Sequence, residues 1–109
     1  MKRGDFITVA MQGDYGKPRP ALVIQADLFD DHDSITFLPL TSDIVDDVPT
    51  VRVTVTPNPD NGLTKTSQVM VDKAMTLPRS KCGKAFGRIN PHLLKEVNRR
   101  LVIFLGIAP

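Results

Sequence analysis

Short runs of hydrophobic and β-forming residues dominate the 109-residue chain, and each run predicts a β-strand. In residues 51–56 the valines share one face, whereas Arg52, Thr54 and Thr56 share the other, which is typical of a half-buried strand. We interpret Pro39 as the mark of the end of another strand, because proline is rare inside paired strands. Runs rich in β-branched and aromatic residues predict the remaining strands, at 6–10, 21–25, 35–40, 68–71, 75–77 and 84–89.

One helix is predicted, at the C-terminal end of the chain. Asn90 suits the N-cap, Pro91 suits the first helical position, and Gly106 suits the end of the helix. Helical spacing places four apolar residues on one stripe: Leu93, Val97, Leu101 and Phe104. Many short strands followed by one packing helix predict a mainly β (α+β) fold, a strongly bent antiparallel sheet or partly open barrel.

Length and composition limit the kind of protein that the chain represents. Its size and the absence of a linker predict a single domain over residues 1–109. The single cysteine, Cys82, excludes an internal disulfide, and no apolar run approaches the roughly 18 residues of a membrane span. We therefore expect a soluble cytoplasmic protein.

The loop at residues 30–33 contains three aspartates and a histidine, which are residue types that bind metals. Adjacent residues on one short loop rarely converge on one ion, however, and the glycine and terminal glutamate of a calcium loop are missing. The chain also lacks a P-loop, a serine triad and a dinucleotide fingerprint. We expect neither a metal nor a cofactor.

Charge is strongly segregated along the chain. Residues 27–47 contain seven acidic residues and no lysine or arginine, which leaves fourteen basic and five acidic residues elsewhere, a balance of +9. Such a field attracts a polyanion and makes its binding sensitive to salt. The basic part is therefore the part that we expect to hold a nucleic acid, although a charged cluster is often only a solvated face.

A pinned arginine and a nearby hydroxyl are the strongest candidates for chemistry. Pro18 and Pro20 restrict the backbone on both sides of Arg19, and Thr41 directly follows the strand predicted at 35–40. If this strand and the one at 21–25 are antiparallel neighbours, both side chains emerge at one rim of the sheet. Together with Ser42, Lys65, Ser67 and Gln68, they form a set that can grip a phosphate and stabilise charge on it.

RNA supplies its own nucleophile, the 2′-hydroxyl, so a site of this kind requires no metal. From the residues alone, a ribonuclease and a phosphate-binding protein are equally allowed. The simpler alternative for Pro-Arg-Pro is the start of an edge strand that carries a solvated arginine.

Six pieces of the chain match a known family in that family's order, at residues 2–9, 16–25, 38–42, 62–63, 67–73 and 101–106. By these pieces the sequence resembles the MazF/PemK toxins of bacterial type II toxin–antitoxin systems. The resemblance implies an SH3-like β-barrel closed by a C-terminal helix, a homodimer, and a metal-independent endoribonuclease. Such an enzyme cuts single-stranded RNA (mRNA) at short sequences, leaves 2′,3′-cyclic phosphate and 5′-hydroxyl ends, and is inhibited by an antitoxin whose disordered tail covers the RNA groove.

The resemblance also implies roles for single residues. Arg19 is similar to the family's catalytic arginine and Thr41 to its partner hydroxyl, whereas Ser67 stands where certain relatives have a catalytic aspartate. The expected RNA-binding residues are Tyr15, Lys17, Ser42, Lys65, Ser67 and Gln68. An alternative of the same general fold is a non-enzymatic toxin that binds and poisons DNA gyrase through the end of its C-terminal helix, including Ala108 and Pro109. A peptide-binding SH3-like adaptor is a weaker third option.

Overall fold

Seven antiparallel strands and one C-terminal helix make up the fold in the computed structural model, which describes residues 1–11 and 17–107. The mainly β fold with a C-terminal helix is therefore confirmed. The elements are β1 (Asp5–Ala10), β2 (Pro18–Val23), β3 (Ser34–Thr41), β4 (Arg52–Val55), β5 (Ser67–Met70), β6 (Met75–Pro78), β7 (Cys82–Arg88) and α1 (Pro91–Phe104).

The sheet is open rather than closed. Its strand order is β4-β5-β3-β2-β1-β7, with β6 paired to β3 beside this path, and within the described residues the end strands β4 and β7 do not pair with each other. The bent, partly open arrangement expected from the residues is thus present. No helix in the described part of the chain is long and apolar enough to cross a membrane.

Strand β3 lies at the centre of the sheet and changes partner along one edge. On this edge its residues 34–37 pair with β6 and its residues 40 and 41 pair with β5, while residues 37–39 pair with β2 on the other edge. The prediction that Pro39 ends the strand was wrong, because β3 continues to Thr41. On the edge that β6 and β5 share, Pro39 lies between the residues that pair with β6 and those that pair with β5. It has no partner strand on that edge, and the missing N–H of proline is tolerated at such an unpaired position.

Strand β2 begins three residues earlier than predicted, at Pro18 rather than at Ala21. Its first residues pair with β1 alone, since β3 pairs only with residues 21–23. Proline suits an extended segment that has one partner strand. Arg19 therefore lies within the sheet, opposite Val9 of β1, rather than in the preceding loop.

Two apolar clusters lie on opposite faces of the sheet. The larger one joins residues of five strands, β1 to β5, to the buried helix residues Val97 and Leu101. The smaller one contains the intervening residues of β1, β2 and β3. The predicted helical stripe is wrong at Phe104, which is 48% exposed; its neighbours Ile103 and Leu105 are exposed as well, so the sheet does not cover the last turn of the helix.

Candidate active site

A groove of about 560 Å³ opens where β2 begins and β3 ends. Five of the residues predicted from sequence line it: Arg19, Thr41, Ser42, Lys65 and Ser67. Further lining comes mainly from apolar side chains that sequence reasoning did not single out, namely those of Met11, Leu40, Leu63 and Met70. The groove therefore combines cationic and hydroxyl groups with an apolar surface.

The register of two strands explains why Arg19 and Thr41 line the same groove. The β2–β3 ladder pairs Ala21 with Pro39, and extending it by two residues brings Arg19 opposite Thr41. Directly opposite residues of antiparallel strands project from the same face of a sheet. The structure thus places the guanidinium and the hydroxyl in one groove, as the central sequence prediction required.

Thr41 is oriented by a local turn. Its Oγ1 accepts a hydrogen bond from the backbone N–H of Asp43, at 3.1 Å. A hydroxyl has one donor and two acceptor sites, so this bond occupies an acceptor site and leaves the O–H to donate to a bound group. Asp43 itself also lines the groove. Sequence reasoning missed it, although it follows Thr41 by only two residues.

Lys65 and Ser67 both line the groove and are linked by a hydrogen bond. Lys65 is exposed and lines the groove, whereas Ser67 is only 5% exposed. The Ser67 hydroxyl donates to the backbone carbonyl of Lys65, at 3.0 Å. Ser67 therefore holds the backbone that presents Lys65 to the groove.

Gln68 is 3% exposed, and its amide is bonded inside the protein. Its Oε1 accepts from the Val45 N–H at 3.0 Å, and its Nε2 donates to the Val45 carbonyl at 3.1 Å and to the Thr54 hydroxyl at 3.2 Å. The side chain thus clamps the loop of residues 42–48 onto the sheet beside the groove. The structure thus gives Gln68 a positioning role. Gln68 is not among the described residues that line the groove, and the RNA contact expected of it stays a prediction.

Two predicted RNA-binding residues remain to be placed. Lys17 is exposed and immediately precedes Pro18, which lines the groove. Tyr15 lies outside the described residues.

A buried asparagine supports the loop that carries Lys65. Asn61 is fully buried, and its side chain accepts from the N–H groups of Asn58 and Leu63 and donates to the Thr56 carbonyl. Its backbone packs so closely on Gly87 that a Cβ there would lie 2.2 Å from the Asn61 carbonyl oxygen. The burial of Asn61 could not be predicted from sequence, because polar residues in a turn rich in proline and asparagine are usually exposed.

The loop at residues 30–33 is held to the rest of the protein by an ion pair and by hydrogen bonds. Lys2 forms an ion pair with Asp30 at 2.5 Å, and this hydrogen bond raises the pKa of Lys2 and lowers that of Asp30. The Arg79 guanidinium donates to the carbonyls of Asp30 and His32. Within residues 1–11 and 17–107, no three His, Cys, Asp or Glu side chains converge in a way that could hold a metal ion.

Comparison with known proteins agrees with this architecture. Residues 2–105 match the family described as the PemK-like, MazF-like toxin of type II toxin–antitoxin systems. The chain is 43% identical over 109 residues to a probable endoribonuclease MazF of Mycolicibacterium smegmatis, and the match covers 99% of each protein.

Solved structures show the same fold. The chain is similar to the Mycobacterium tuberculosis toxin MazF-mt6, with a TM-score of 0.79, 19% identity, and coverage of 94% of this chain and 96% of that one. It is equally similar to an endoribonuclease in complex with its cognate antitoxin from a mycobacterial species, with a TM-score of 0.79, 23% identity, and coverage of 100% and 98%. The resemblance inferred from the residues is confirmed: the chain belongs to the PemK-like, MazF-like family of type II toxin–antitoxin toxins.

Proposed function

We propose that this protein is a toxin endoribonuclease that cleaves single-stranded RNA (mRNA) at short specific sequences without a metal ion. The observation that carries the proposal is the presence of Arg19 and Thr41 in one groove. The full-length identity of 43% to a probable endoribonuclease supports the same reaction class.

The reaction is an in-line transfer of the phosphoryl group within the RNA. The 2′-oxygen forms a bond to phosphorus while the bond from phosphorus to the 5′-oxygen breaks, and one proton passes from the 2′-hydroxyl to the departing oxygen. The products carry a 2′,3′-cyclic phosphate and a 5′-hydroxyl. Negative charge accumulates on the non-bridging oxygens in the transition state, and the catalytic task is to stabilise it.

Arg19 and Thr41 meet this need in different ways. The guanidinium offers several fixed N–H donors to phosphate oxygens, and the two flanking prolines reduce the backbone freedom lost when it binds. The Thr41 hydroxyl, oriented by Asp43, donates to a phosphate oxygen. Lys17, Ser42 and Lys65 add charge and donors along the path of the RNA. Charge stabilisation suits arginine better than proton abstraction, because a guanidinium hardly deprotonates.

The remaining functional inferences concern partners and context. A relative with this fold forms a complex with its cognate antitoxin, and we infer that an antitoxin likewise neutralises this protein by covering the groove. The exposed apolar side chains of Ile103, Phe104 and Leu105 support a homodimer, for which a monomer in sedimentation at micromolar concentration would be contrary evidence. We further propose that residues 1–109 form one toxin domain that acts in the cytoplasm.

The gyrase-binding alternative receives no support from the family match or from the curated relative. Its proposed site at Ala108 and Pro109 lies outside the described residues.

The decisive experiment is cleavage of a mixed-sequence RNA in excess chelator, followed by chemical analysis of the new ends. We expect cyclic phosphate and 5′-hydroxyl ends. We also expect Arg19→Ala to lower the rate by about 10²- to 10³-fold, the loss typical of removing a donor to a developing oxyanion. Arg99→Ala is a matched control, because Arg99 is an exposed helix residue paired with Glu96. RNA that stays intact across many sequences would refute the proposal.

A further inference from the structure

We propose that Asp43 reads a guanine in the bound RNA by accepting hydrogen bonds from the N1–H and N2–H groups of its Watson–Crick edge. This inference rests on the proposed function, since it assigns part of the sequence preference to one side chain in the same groove. It concerns recognition of a base and not the reaction at phosphorus.

The position of Asp43 is the first argument. Asp43 lines the groove together with Arg19 and Thr41. It lies two residues beyond Thr41, so the two Cα atoms are at most about 7 Å apart. A nucleotide whose phosphate is held by Arg19 and Thr41 therefore has its own base, or that of its neighbour, within reach of Asp43.

The backbone around Asp43 is held on both sides. Its N–H donates to the Thr41 hydroxyl at 3.1 Å, and two residues later the Gln68 amide binds both the N–H and the carbonyl of Val45. Among the described residues, the Asp43 carboxylate forms no hydrogen bond and no ion pair. A side chain on a fixed backbone with an open acceptor end is suited to reading a ligand.

Charge determines what this carboxylate can contact. Among the described residues that line the groove, Asp43 is the only acidic one. A carboxylate repels a phosphate, so in a groove that holds RNA it must face a group that donates hydrogen bonds. Single-stranded RNA presents such donors on the exposed edges of its bases.

The geometry of the donors selects the base. Guanine has two adjacent N–H donors on its Watson–Crick edge, which match the two oxygens of a carboxylate in the bidentate manner that also joins arginine to carboxylates. Adenine and cytosine place a ring acceptor beside their amino group, and uracil flanks its N–H with two carbonyl oxygens. Only guanine therefore donates a hydrogen bond to each of the two carboxylate oxygens without placing one of its own acceptors against them.

Apolar side chains complete the site. Leu40, Leu63 and Met70 line the same groove and offer a surface for the face of a base. Apolar walls with a few placed polar groups are the usual composition of a site that orients a ligand.

The same loop provides matched controls. Asp46 and Asp47 are exposed aspartates of the loop, and neither is a lining residue of the groove. Asp46→Asn removes the same charge from the same loop as Asp43→Asn. A general electrostatic effect on RNA binding would appear in both variants, whereas a base contact would appear in only one.

The test uses wild-type protein, Asp43→Asn and Asp46→Asn on two readouts. The first is the map of cut sites on long RNAs. The second is binding of short RNAs that carry guanine, inosine, adenine or cytosine at each position, with a 2′-deoxy nucleotide at the cut so that they are not cleaved. Urea unfolding of each variant establishes that the fold is intact.

We expect the wild type to prefer guanine over adenine at one position by about 10- to 100-fold, the discrimination typical of a bidentate pair. Inosine, which lacks the N2 amino group, should lose most of this preference. Asp43→Asn should lose the guanine preference and favour adenine or cytosine, because an amide presents one donor and one acceptor. Asp46→Asn should keep the wild-type preference.

An unchanged guanine preference in Asp43→Asn would overturn the inference, as would a wild type that shows none. A rate that falls equally at every sequence, with loss of the acidic limb of the pH profile, would instead make Asp43 a proton acceptor and would also overturn it. If the wild type selects guanine in the binding assay but leaves RNA uncut, the proposed reaction fails while the role of Asp43 stands.

Discussion

The clamp that Gln68 forms on the loop of residues 42–48 leads to a sharp prediction about stability. Gln68→Met keeps approximately the same side-chain volume but removes all three hydrogen bonds, two to the backbone of Val45 and one to Thr54. Each such bond contributes about 0.5–1.5 kcal/mol net. Water can partly replace the bonds at the loop, so we expect the free energy of unfolding to fall by about 2 kcal/mol.

For a domain of this size, that loss corresponds to a decrease in Tm of about 10 °C. Urea and thermal unfolding of the RNA-free protein, followed by circular dichroism, measure it. Thr54→Val is the matched control, because it removes one of the three partners and keeps the branched shape; its cost should be below about 1 kcal/mol. RNA cleavage by Gln68→Met should also decrease, since the loop that carries Ser42 and Asp43 is released.

A Gln68→Met protein with unchanged unfolding but weaker RNA binding would refute this reasoning. Gln68 would then act as a direct contact to RNA, the role that the sequence alone suggested, rather than as the clamp of the loop.

Three further predictions follow from individual contacts. Gly87→Ala should lower the free energy of unfolding by about 3 kcal/mol or prevent folding, because the new Cβ would clash with the backbone of Asn61. Gly106→Ala has open space around its Cβ and should lower it by only about 1 kcal/mol, because of the positive φ at this position. Urea unfolding compares the two variants. Burial raises the pKa of the Cys82 thiol, so iodoacetamide should label it at pH 7 more slowly than a small free thiol, and equal labelling would contradict this. Hydrogen bonds from two arginines of its helix lower the pKa of Glu96 from 4.5. The ionised Glu96 carboxylate therefore stabilises the fold fully above pH 4.5, and this stabilisation is lost as the pH falls through the lowered pKa. Glu96→Gln should make the free energy of unfolding less dependent on pH in this acidic range at low salt.

Several features of the fold could be predicted from sequence because they depend on neighbouring residues. Asn90 caps α1 by accepting from the His92 N–H, and Pro91 occupies the first turn, as their side-chain chemistry indicates. Gly62 has a φ of +67°, in keeping with the predicted Asn-Gly turn. In β4 the alternation buries Val53 and exposes Thr54, since the period of a strand is set by its own backbone.

The candidate site could be predicted only in part. Arg19 and Thr41 were found because each adjoins a predicted strand, and antiparallel pairing brings such residues together. Asp43 was overlooked since it belongs to the acidic stretch, whose charge argues against RNA. Gln68 was expected to face RNA, and nothing in residues 67–71 indicates that a loop more than twenty residues earlier covers its amide.

The sequence by itself determined the local conformations of this protein: the short strands, the capped helix, and an arginine restricted by two prolines. These follow from dihedral preferences and periodicity, which act over a few residues. Only the tertiary structure decided that Pro39 lies inside a strand between two successive partners, that Phe104 stays exposed, and that Asp43 enters the groove. Each of these outcomes depends on which distant segment lies against a residue, and that is set by the packing of the whole sheet.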